Sequence, residues 1–466
     1  MQNYNVLIVG GGISGLMAAY RLRQHNKYIS IAIIDKGNMI ENRKCPATSK
    51  QSCKKCKTCA ITSGFAGAGA FSDGKFNLGT SYGGTLGEEL GYALANEYIK
   101  IADSILEKFY NGDGYVATYG TSEALKVKCL QNNLQLLDMT TRHLGTENNY
   151  AIMSSLIDWL KNNGADLKAN EEVVDIKSND IRGSYSVITN KEEYNADTLI
   201  LATGRSGSEL IEYVCEKFNI GTESNEVDIG VRVETQDAIW REFSSRIYEP
   251  KIICKTKTFE DKTRMFCFNQ GGIVSAENNG GIITANGHSF ADEARKTDNC
   301  NFAILSSIKF TEPFDKPTEY VKSYSQMANI IGAGNVLVQR FGDLVRGRRT
   351  TESRLAKNTV KPTLKATAGD ISLVLPYRIL TNIIETIYAL DKVAPGTAND
   401  DTLLYGCESK YYSIKPKHDS NFCIRNNLFL IGDGSGICRG LSQSAAMGLY
   451  VADKIKEIEV ESKCRK

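Results

Sequence analysis

The chain has 466 residues, of which 42% are hydrophobic and 24% charged, and its formal net charge is +2. These values are ordinary for a globular protein and exclude a disordered or fibrous chain. The balance of charge gives no electrostatic reason to expect binding to nucleic acid or to an anionic membrane surface. No run of 18 apolar residues occurs and no basic region precedes the first apolar strand, so we expect a cytoplasmic protein of two or three domains, without a membrane span.

The first forty residues have the pattern of a βαβ unit. They predict a strand, a helix and a second strand, at Tyr4–Val9, Ile13–Gln24 and Ile29–Ile34. The turn and the first helical residues carry glycines at the spacing of the dinucleotide fingerprint, namely Gly10, Gly12 and Gly15. Asp35 follows Gly15 by twenty positions, where a carboxylate that binds the ribose is expected. The unit therefore predicts a nucleotide site with the pyrophosphate at the start of the helix.

Further elements follow from apolar runs and their spacing. Residues 88–135 are predicted to be largely helical. Strands are predicted at Asp166–Ala169, Val173–Ile176, Ser184–Thr189, Ala196–Thr203, Asp228–Val233, Gly272–Ser275, Gly281–Ala285 and Asn427–Ile431. Helices are predicted at Ala151–Leu160, around Ala303–Ile308, at Tyr377–Leu390 and at Leu441–Ile458.

Two later strands each close on a glycine turn, at Thr203-Gly204 and at Gly432-Asp433. With the N-terminal fingerprint, they are laid out as in the FAD-binding domains of the glutathione-reductase and hydroxybenzoate-hydroxylase type. We expect Asp433 to hold a ribitol hydroxyl, and the helix that begins at Leu441 to direct its amides to the flavin ring. The residues predicted to contact FAD are Gly10, Gly12, Ile13, Ser14, Gly15, Asp35, Lys36, Arg43, Gly67, Gly69, Ala70, Val174, Thr203, Gly204, Gly432, Asp433, Gly440, Leu441 and Ser442.

Five motifs spread over the chain carry a resemblance to a known family: Gly64–Lys75 (GFAGAGAFSDGK), Arg142–Thr146 (RHLGT), Val227–Glu234 (VDIGVRVE), Asn286–Ser289 (NGHS) and Asn427–Gly448 (NLFLIGDGSGICRGLSQSAAMG). The chain resembles the uncharacterised FAD-dependent dehydrogenases that are often labelled NAD(FAD)-utilising dehydrogenases. The resemblance implies bound FAD, a hydroxylase-like two-part architecture and a dedicated C-terminal region, and it implies no particular substrate. The chain departs from the family pattern at Met265–Gln270, around Cys267.

Four cysteines form a separate cluster with the spacing C-P-x6-C-x2-C-x2-C: Cys45, Cys53, Cys56 and Cys59. Two overlapping C-x2-C pairs suit a tetrahedral thiolate site, and the neighbouring lysines would offset its negative charge. A [4Fe–4S] cluster, a structural zinc ion and a redox dithiol that exchanges with the flavin are all compatible with this pattern. With 13 cysteines in a reducing compartment, a disulfide framework is not expected.

Candidate catalytic residues lie beside glycine-rich turns. Lys75 and Asp73 follow the run Gly64–Ala70 and could orient the ring or protonate a substrate, or could form an ordinary charged turn. His143 and His288 could each act as a general acid, although a single histidine is often structural.

Other polar residues have weaker claims on function. Cys438 precedes the last predicted helix, whose N-terminus would stabilise a thiolate, although the pattern favours a small packing residue. The arginines Arg346, Arg348 and Arg349 could clamp an anionic substrate or an electron-donor protein, or could form a solvated face. His25 and His418 have polar neighbours and are predicted to lie at the surface.

The sequence thus predicts an α/β protein with a discontinuous Rossmann-like FAD-binding domain and an inserted mixed α+β substrate domain. The predicted segments are residues 1–84, 146–205 and 425–466 for the FAD-binding domain, 85–145 for a helical excursion and 206–424 for the substrate domain. We expect hydride transfer between flavin N5 and a small organic substrate, with electrons from diffusible NAD(P)H or from a partner such as ferredoxin. A flavin-disulfide reductase and a non-catalytic flavin redox sensor are the alternatives.

Overall fold

A computed structural model of the chain describes residues 2–46, 56–72, 74–112, 116, 118–137, 139–179, 183–247, 249–279, 281–290, 293–311, 316–410 and 413–464. In chain order the strands are β1 (Gln2–Val9), β2 (Ile31–Ile34), β3 (Lys75–Asn77), β4 (Thr118–Tyr119), β5 (Leu134–Leu136), β6 (Thr141–His143), β7 (Asp166–Lys168), β8 (Val173–Asn179), β9 (Ser184–Thr189), β10 (Glu193–Leu201), β11 (Thr222–Glu223), β12 (Val227–Gln236), β13 (Ile252–Lys255), β14 (Lys262–Asn269), β15 (Ile273–Asn279), β16 (Ile282–His288), β17 (Asn299–Ile308), β18 (Leu337–Arg340), β19 (Thr367–Ala368), β20 (Leu403–Lys410), β21 (Lys415–Pro416), β22 (Cys423–Arg425) and β23 (Leu428–Leu430).

The helices, in the same order, are α1 (Ile13–His25), α2 (Leu86–Leu90), α3 (Tyr92–Lys108), α4 (Glu123–Leu130), α5 (Thr146–Asn162), α6 (Ser208–Lys217), α7 (Asp237–Ser244), α8 (Pro317–Ile331), α9 (Phe341–Val345), α10 (Glu352–Ala356), α11 (Tyr377–Asp391) and α12 (Leu441–Cys464). Among the residues described, no helix is long and apolar enough to cross a membrane.

The chain divides into two compact units, and the first spans residues 1–118, 139–223 and 412–466. Its main sheet has the strand order β22-β23-β10-β1-β2-β7, and β1 runs parallel to both β10 and β2. Val6 and Ile8 of β1 pack in one apolar cluster with α1 and α12, whereas Leu7 packs in another with β8, β9 and α6. Because both faces of the sheet are covered, the carboxyl-terminal ends of its central strands β1 and β10 are buried apolar runs, Val6–Val9 and Leu199–Leu201.

One half-buried carboxylate links three helices of the first unit. Asp453 of α12 accepts hydrogen bonds from Arg21 Nε (2.8 Å), from Tyr98 Oη (2.9 Å) and from His25 Nε2. Burial opposes ionisation of Asp453, but these three donors outweigh it and hold the pKa of this carboxyl below its usual range. The charge thereby links α1, α3 and α12.

The two histidines predicted to lie at the surface are in fact mostly buried. The side chain of His25 is 16% exposed and bonds Asp453 as described. That of His418 is 13% exposed, and its Nε2 lies 3.7 Å from Glu89 Oε2. The polar neighbours that suggested exposure in the sequence are not the residues that surround these rings in space.

The second unit spans residues 119–138 and 224–411 and is built on one long sheet, with the strand order β19-β18-β20-β12-β17-β14-β13-β5. The central pair β12 and β17 is antiparallel over ten residues, from Val227↔Ile308 to Gln236↔Asn299. The odd-numbered valines and isoleucine of β12 pack in the cluster that contains α11. This arrangement confirms the mixed α/β class, while the finer domain boundaries stay a prediction.

The opposite face of β12 carries buried charge. Arg232 and Glu408 are both fully buried and form a bidentate pair, with both N···O distances at 2.8 Å. The remaining donors of Arg232 reach the carbonyl oxygen of Cys267 (2.9 Å) and Asn286 Oδ1 (3.1 Å). Every strong donor of this guanidinium therefore has an acceptor, as a buried charge requires.

The prediction of helical structure around Ala303–Ile308 is wrong, because these residues form the end of strand β17. They pair with β12 on one side and β14 on the other. A short apolar run has no period that separates a buried helix from a buried strand. Pairing with neighbouring strands decides the outcome here.

Candidate functional site

The turn after β1 brings the backbone of the first unit close to the start of α1. Gly10 has φ +112°, and a Cβ there would lie 2.3 Å from the carbonyl oxygen of Ala202. A Cβ on Gly15 would lie 2.2 Å from the carbonyl oxygen of Gly10, so the helix packs closely on the turn. A Cβ on Gly12, in contrast, would meet nothing within 4 Å. The amides at the start of α1 are therefore approachable at Gly12, as an anion-binding turn requires.

Asp35 lies just beyond β2 and is oriented by two main-chain amides. Its Oδ2 accepts from Gly11 N at 2.9 Å and its Oδ1 from Gly37 N at 2.8 Å. A carboxylate oxygen has more than one acceptor direction, so each can also take a ribose hydroxyl. The neighbouring Lys36 donates from Nζ to the carbonyl oxygen of Ser206 at 2.9 Å. The role of Asp35 in binding ribose stays a prediction with which this orientation is compatible, and Lys36 is bonded to the protein itself.

Two further turns lie at the carboxyl ends of β10 and β23, which are parallel neighbours in the sheet. Gly204 and Gly432 adopt φ +59° and +75°, values that suit glycine. A Cβ on Gly432 would lie 2.5 Å from Ser14 Oγ, which places this turn against the first turn of α1. Asp433 Oδ2 lies 3.1 Å from Arg205 Nε. The three turns of the fingerprint, of β10 and of β23 consequently meet at one edge of the sheet.

The glycine-alanine run packs against the starts of two helices. Residues Gly67–Phe71 form a short 3-10 helix, and a Cβ on Gly67 would lie 3.1 Å from Gly12 Cα, at the start of α1. A Cβ on Gly69 would lie 2.8 Å from Leu441 Cδ2, at the start of α12. Both helices direct their positive N-terminal ends towards this run. Ala70 is fully buried beside them.

Four polar side-chain atoms of the first unit that line these segments are buried without a hydrogen-bond partner: Thr203 Oγ1, Asp433 Oδ1, Ser442 Oγ and Asn149 Oδ1. An unsatisfied buried polar atom costs about 1–3 kcal/mol, and four around one edge of a sheet need an explanation. The ribitol hydroxyls and ring amide of a flavin supply donors and acceptors of the required kind. The residues present therefore fit FAD.

Arg43, for which a contact with FAD is predicted, is bonded within the protein. Its guanidinium donates to four main-chain carbonyls, those of Ala60, Ile61, Phe65 and Gly67, at 2.7–2.9 Å. Burial lowers the pKa of this arginine. Because four of its five N–H groups are used in this way, Arg43 braces the loop before the glycine-alanine run.

Two of the predicted catalytic residues are brought together. Strands β3 and β6 are antiparallel, and Lys75 stands directly opposite His143 in their register. Opposite residues of such a pair project on the same face, with Cβ atoms about 4.5–5.5 Å apart. The prediction for Asp73 falls outside the described residues. His288 ends β16 in the second unit, where its ring lies 5.0 Å from that of Phe290.

Cys438 has surroundings that oppose the predicted thiolate. Its side chain is fully buried, and its Sγ lies 3.5 Å from Met447 Sδ. Burial raises the pKa of this thiol well above its ordinary value, and the charge of Asp433 adds to the effect. The helix N-terminus does not overcome the loss of solvation, so the packing role that the sequence also allowed is the one observed.

The four-cysteine cluster is only partly described, because Cys53 lies outside the described residues. Cys45, Cys56 and Cys59 are exposed free thiols. Partial burial opposes ionisation of Cys59, but hydrogen bonds from Ile61 and Thr62 and the charge of Arg43 outweigh it and lower the pKa of this thiol. Within the described part of the chain, no group of three or more histidine, cysteine or acidic residues converges as metal ligands. The predicted metal site stays a prediction.

The remaining predicted residues are less informative. Val174 on β8 has a 54% exposed side chain. The carbonyl oxygen of Gly440 accepts from Ser444 N at 3.1 Å, so Gly440 is the N-cap residue that precedes α12. In the second unit, Arg346 pairs with Asp400 and Arg348 with Asp343. These two members of the basic run are therefore partly neutralised by neighbouring carboxylates.

Two buried amide side chains near the site were missed by the sequence reasoning. Gln443 of α12 is 1% exposed; its Oε1 accepts from Leu86 N (3.2 Å) and its Nε2 donates to the carbonyl oxygen of Tyr82 (3.1 Å). Asn149 of α5 is fully buried and donates to the carbonyl oxygen of Gly69 at 2.6 Å. Gln443 lies within the motif Asn427–Gly448, and nothing in the sequence singles out Asn149; the contacts of both residues join segments far apart in the chain.

Comparison with known protein families agrees with this geometry. Residues 227–411 match a family model described as FAD-dependent protein, C-terminal domain-like, and residues 8–40 match NAD(P)-binding Rossmann-like domain. These matches support an FAD-dependent oxidoreductase. A Rossmann-like α/β fold and the predicted FAD are thus supported independently of the site geometry. A search of curated proteins gives no match.

Among solved structures, L-proline dehydrogenase from P. horikoshii aligns at 11% identity over 98% of this chain and 94% of its own, with a TM-score of 0.40. Glycine oxidase from Bacillus cereus ATCC 14579 aligns at 13% identity over 97% and 95%, with a TM-score of 0.39. L-alpha-glycerophosphate oxidase from Mycoplasma pneumoniae, with FAD bound, aligns at 12% over 98% and 95%, with a TM-score of 0.40. Likenesses this weak carry no argument about activity.

Proposed function

We propose that this protein is an FAD-dependent oxidoreductase that transfers hydride between the flavin and a small organic molecule. The observation that carries the proposal is the set of unpartnered buried atoms between the starts of α1 and α12, at Thr203, Asp433 and Ser442. The family matches support FAD in particular. The subfamily suggested by the sequence motifs, the NAD(FAD)-utilising dehydrogenases, remains part of this proposal.

Different residues of the first unit would bind different parts of FAD. The amides at the start of α1 bind the pyrophosphate, Asp35 accepts from the adenosine ribose, and Asp433 accepts from the ribitol. The amides at the start of α12 would favour the negative charge that the flavin ring gains on reduction. When bound, FAD supplies a two-electron acceptor and donor. Gly67 and Gly69 let the main chain pack closely on Gly12 and Leu441, at the starts of the two helices that would hold it.

The proposed proton-transfer residues are Lys75 and His143. Removal of a hydride from a carbon that bears an O–H or N–H group leaves a proton that a base must take. Lys75 and His143 stand opposite each other on β3 and β6, so one can accept this proton while the other orients the substrate. In the reverse direction the same pair returns the proton. His288 and Asp73 stay candidates for this role.

The decisive experiment is an anaerobic purification, followed by a visible spectrum and release of the cofactor by denaturation. We expect one FAD per chain and reduction of the flavin by NADH, NADPH or a reduced ferredoxin. His143→Gln and Lys75→Met should keep the flavin spectrum and slow its reduction by substrate. His418→Gln is the matched control, because His418 contacts Glu89 instead. Protein that takes up no FAD even when it is supplied would refute the proposal.

The four-cysteine loop adds a second proposal at a finer level. We propose an accessory centre at Cys45, Cys53, Cys56 and Cys59, either a [4Fe–4S] cluster, a zinc ion or a redox dithiol. The spacing of these cysteines and the exposure of three of them support it. Iron, sulfide and zinc analysis of the same anaerobic sample separates the three forms. Flavin with neither metal would leave thiol exchange, and hence a flavin-disulfide reductase, as the form to test.

The sensor alternative makes a different kinetic prediction. A non-catalytic flavin sensor would be reduced and reoxidised once but would show no steady-state turnover with any donor and acceptor pair. Turnover with a nicotinamide donor would exclude the sensor, and fast reduction by NADH or NADPH would remove the reason for a ferredoxin-like donor.

A further inference from the structure

Asn149 lies in the first turn of α5, and the hydrogen bonds that its side-chain NH2 group donates fix the orientation of its carboxamide. Nδ2 donates to the carbonyl oxygen of Gly69 at 2.6 Å and lies 3.5 Å from Ser72 Oγ. The Gly69 carbonyl can only accept, so the amide cannot be turned over without loss of that bond. The carbonyl oxygen Oδ1 is therefore fixed on the other side, where it is buried and has no partner.

The position of Asn149 connects it to the cofactor side of the fold. Gly69, whose carbonyl it holds, is the residue that touches Leu441 at the start of α12. Asn149 also packs against Gly74, the residue before Lys75, because a Cβ on Gly74 would lie 2.8 Å from Cβ of Asn149. Asn149 is thus packed between the glycine-alanine run and the strand that carries a proposed proton-transfer residue.

We propose that Asn149 is a positioning residue for the flavin ring. Its Nδ2 holds the glycine-alanine run in place, and its Oδ1 accepts a hydrogen bond from a ring N–H of the isoalloxazine. An isoalloxazine presents N–H donors that need an acceptor, and Oδ1 is a buried acceptor without a donor. This inference rests on the proposed function, because it requires FAD at this site.

The test uses the whole protein, freed of flavin, and FAD itself as the probe. Asn149→Leu removes donor and acceptor with little change of volume, whereas Asn149→Asp keeps acceptor oxygens and adds a charge. Asn148→Leu is the matched control, since Asn148 is on the same helix and its amide bonds only the local carbonyl of Leu144. Each variant is titrated with FAD, and the spectrum and midpoint potential of the bound flavin are measured anaerobically.

We expect Asn149→Leu to raise the dissociation constant of FAD at least tenfold, which is about 1.4 kcal/mol, and to shift the flavin absorption bands. Asn149→Asp should make the midpoint potential more negative, because a carboxylate beside the ring opposes the added electrons. Asn148→Leu should change neither quantity. Urea unfolding of the flavin-free variants shows whether they fold as the parent does.

Two results would overturn the inference while leaving FAD binding intact. Wild-type affinity and spectrum in Asn149→Leu would show that Oδ1 meets no ring donor. Both Asn149 variants could bind FAD more weakly while the spectrum and midpoint potential of the bound flavin stay unchanged. That result would show that Asn149 only holds the main chain at Gly69 in place. Wild-type protein that binds no FAD would instead overturn the proposed function and this inference together.

Discussion

The comparison of two alanine substitutions, at Gly10 and at Gly12, tests how the fingerprint turn works. At Gly10 a methyl group would lie 2.3 Å from the carbonyl oxygen of Ala202, and φ is +112°. Strained backbone costs about 1–3 kcal/mol, and overpacking costs a similar amount. Gly10→Ala should therefore lower the free energy of unfolding of the first unit by about 2–6 kcal/mol, whether or not FAD is present.

Gly12→Ala should have the opposite profile. A methyl group at Gly12 meets no atom within 4 Å, and φ is −73°, which alanine adopts readily. The unfolding free energy without FAD should change by less than about 1 kcal/mol, the scale of a changed residue at the N-cap of a helix. The methyl group would, however, stand where the pyrophosphate approaches. We expect the dissociation constant of FAD to rise at least about tenfold, or 1.4 kcal/mol.

The two tryptophans of the chain make the measurement specific to one unit. Trp159 lies in α5 of the first unit and Trp240 in α7 of the second. Urea unfolding is followed by the fluorescence of Trp159, with both variants and their parent carrying Trp240→Phe, so that any cost of that change cancels. Equal losses of stability in the two variants would refute the distinction between a packed glycine and a ligand-facing one.

Three further predictions concern charges and thiols away from the fingerprint. Asp453→Asn should destabilise the first unit by about 2–3 kcal/mol at pH 7, because three donors lose a charged acceptor. Since the folded pKa of Asp453 is depressed, the difference from wild type should shrink as the pH falls below about 4. Glu408→Gln should cost the second unit about 3–5 kcal/mol in urea unfolding followed by Trp240 fluorescence, because a buried guanidinium loses its counter-charge, and adding Arg232→Met should recover part of it. Mass spectrometry after alkylation of the native protein at pH 8 should find Cys56 modified and Cys438 untouched.

The two predictions for buried or half-buried carboxylates each have a control variant within the chain. Asp158→Asn, on the exposed side of α5, should leave stability and its pH dependence unchanged. Glu260→Gln breaks an ion pair whose partners are 73% and 66% exposed, and should have no measurable effect. A loss from Glu408→Gln as small as that from Glu260→Gln would contradict the role assigned to burial. Rapid alkylation of Cys438 in the folded protein would contradict its buried position.

The sequence predicted the nucleotide-binding part of the fold well, because that part depends on local patterns. The helix expected at Ile13–Gln24 is observed at Ile13–His25, and the strand expected at Ser184–Thr189 is observed at those residues. Glycine spacing and an acid at the end of a strand are local signals with a direct physical meaning. The turns at Gly204 and Gly432 were recognisable for the same reason.

The errors and omissions depend on contacts between distant segments. The apolar run Ala303–Ile308 is a strand because two strands flank it, which no local period reveals. The donors of Arg43 reach carbonyls 17–24 positions further along the chain, contacts that the sequence does not show. His25 finds Asp453, a residue 428 positions away. Such partners are decided by tertiary packing, and a single sequence does not show them.

The order of strands in the first unit bears on how the protein is made. β1 pairs with β10 and β10 with β23, so the cofactor edge combines residues near the beginning, middle and end of the chain. A ribosome that has synthesised 400 residues has not yet produced β23 or α12. Until then the flank of β10 that will receive β23 is unpaired, and such an edge is prone to wrong association. The part of the proposed FAD site at Asp433 and the start of α12 is therefore incomplete until these late elements have been made, and chaperones that shield strand edges would have most effect during the synthesis of the second unit.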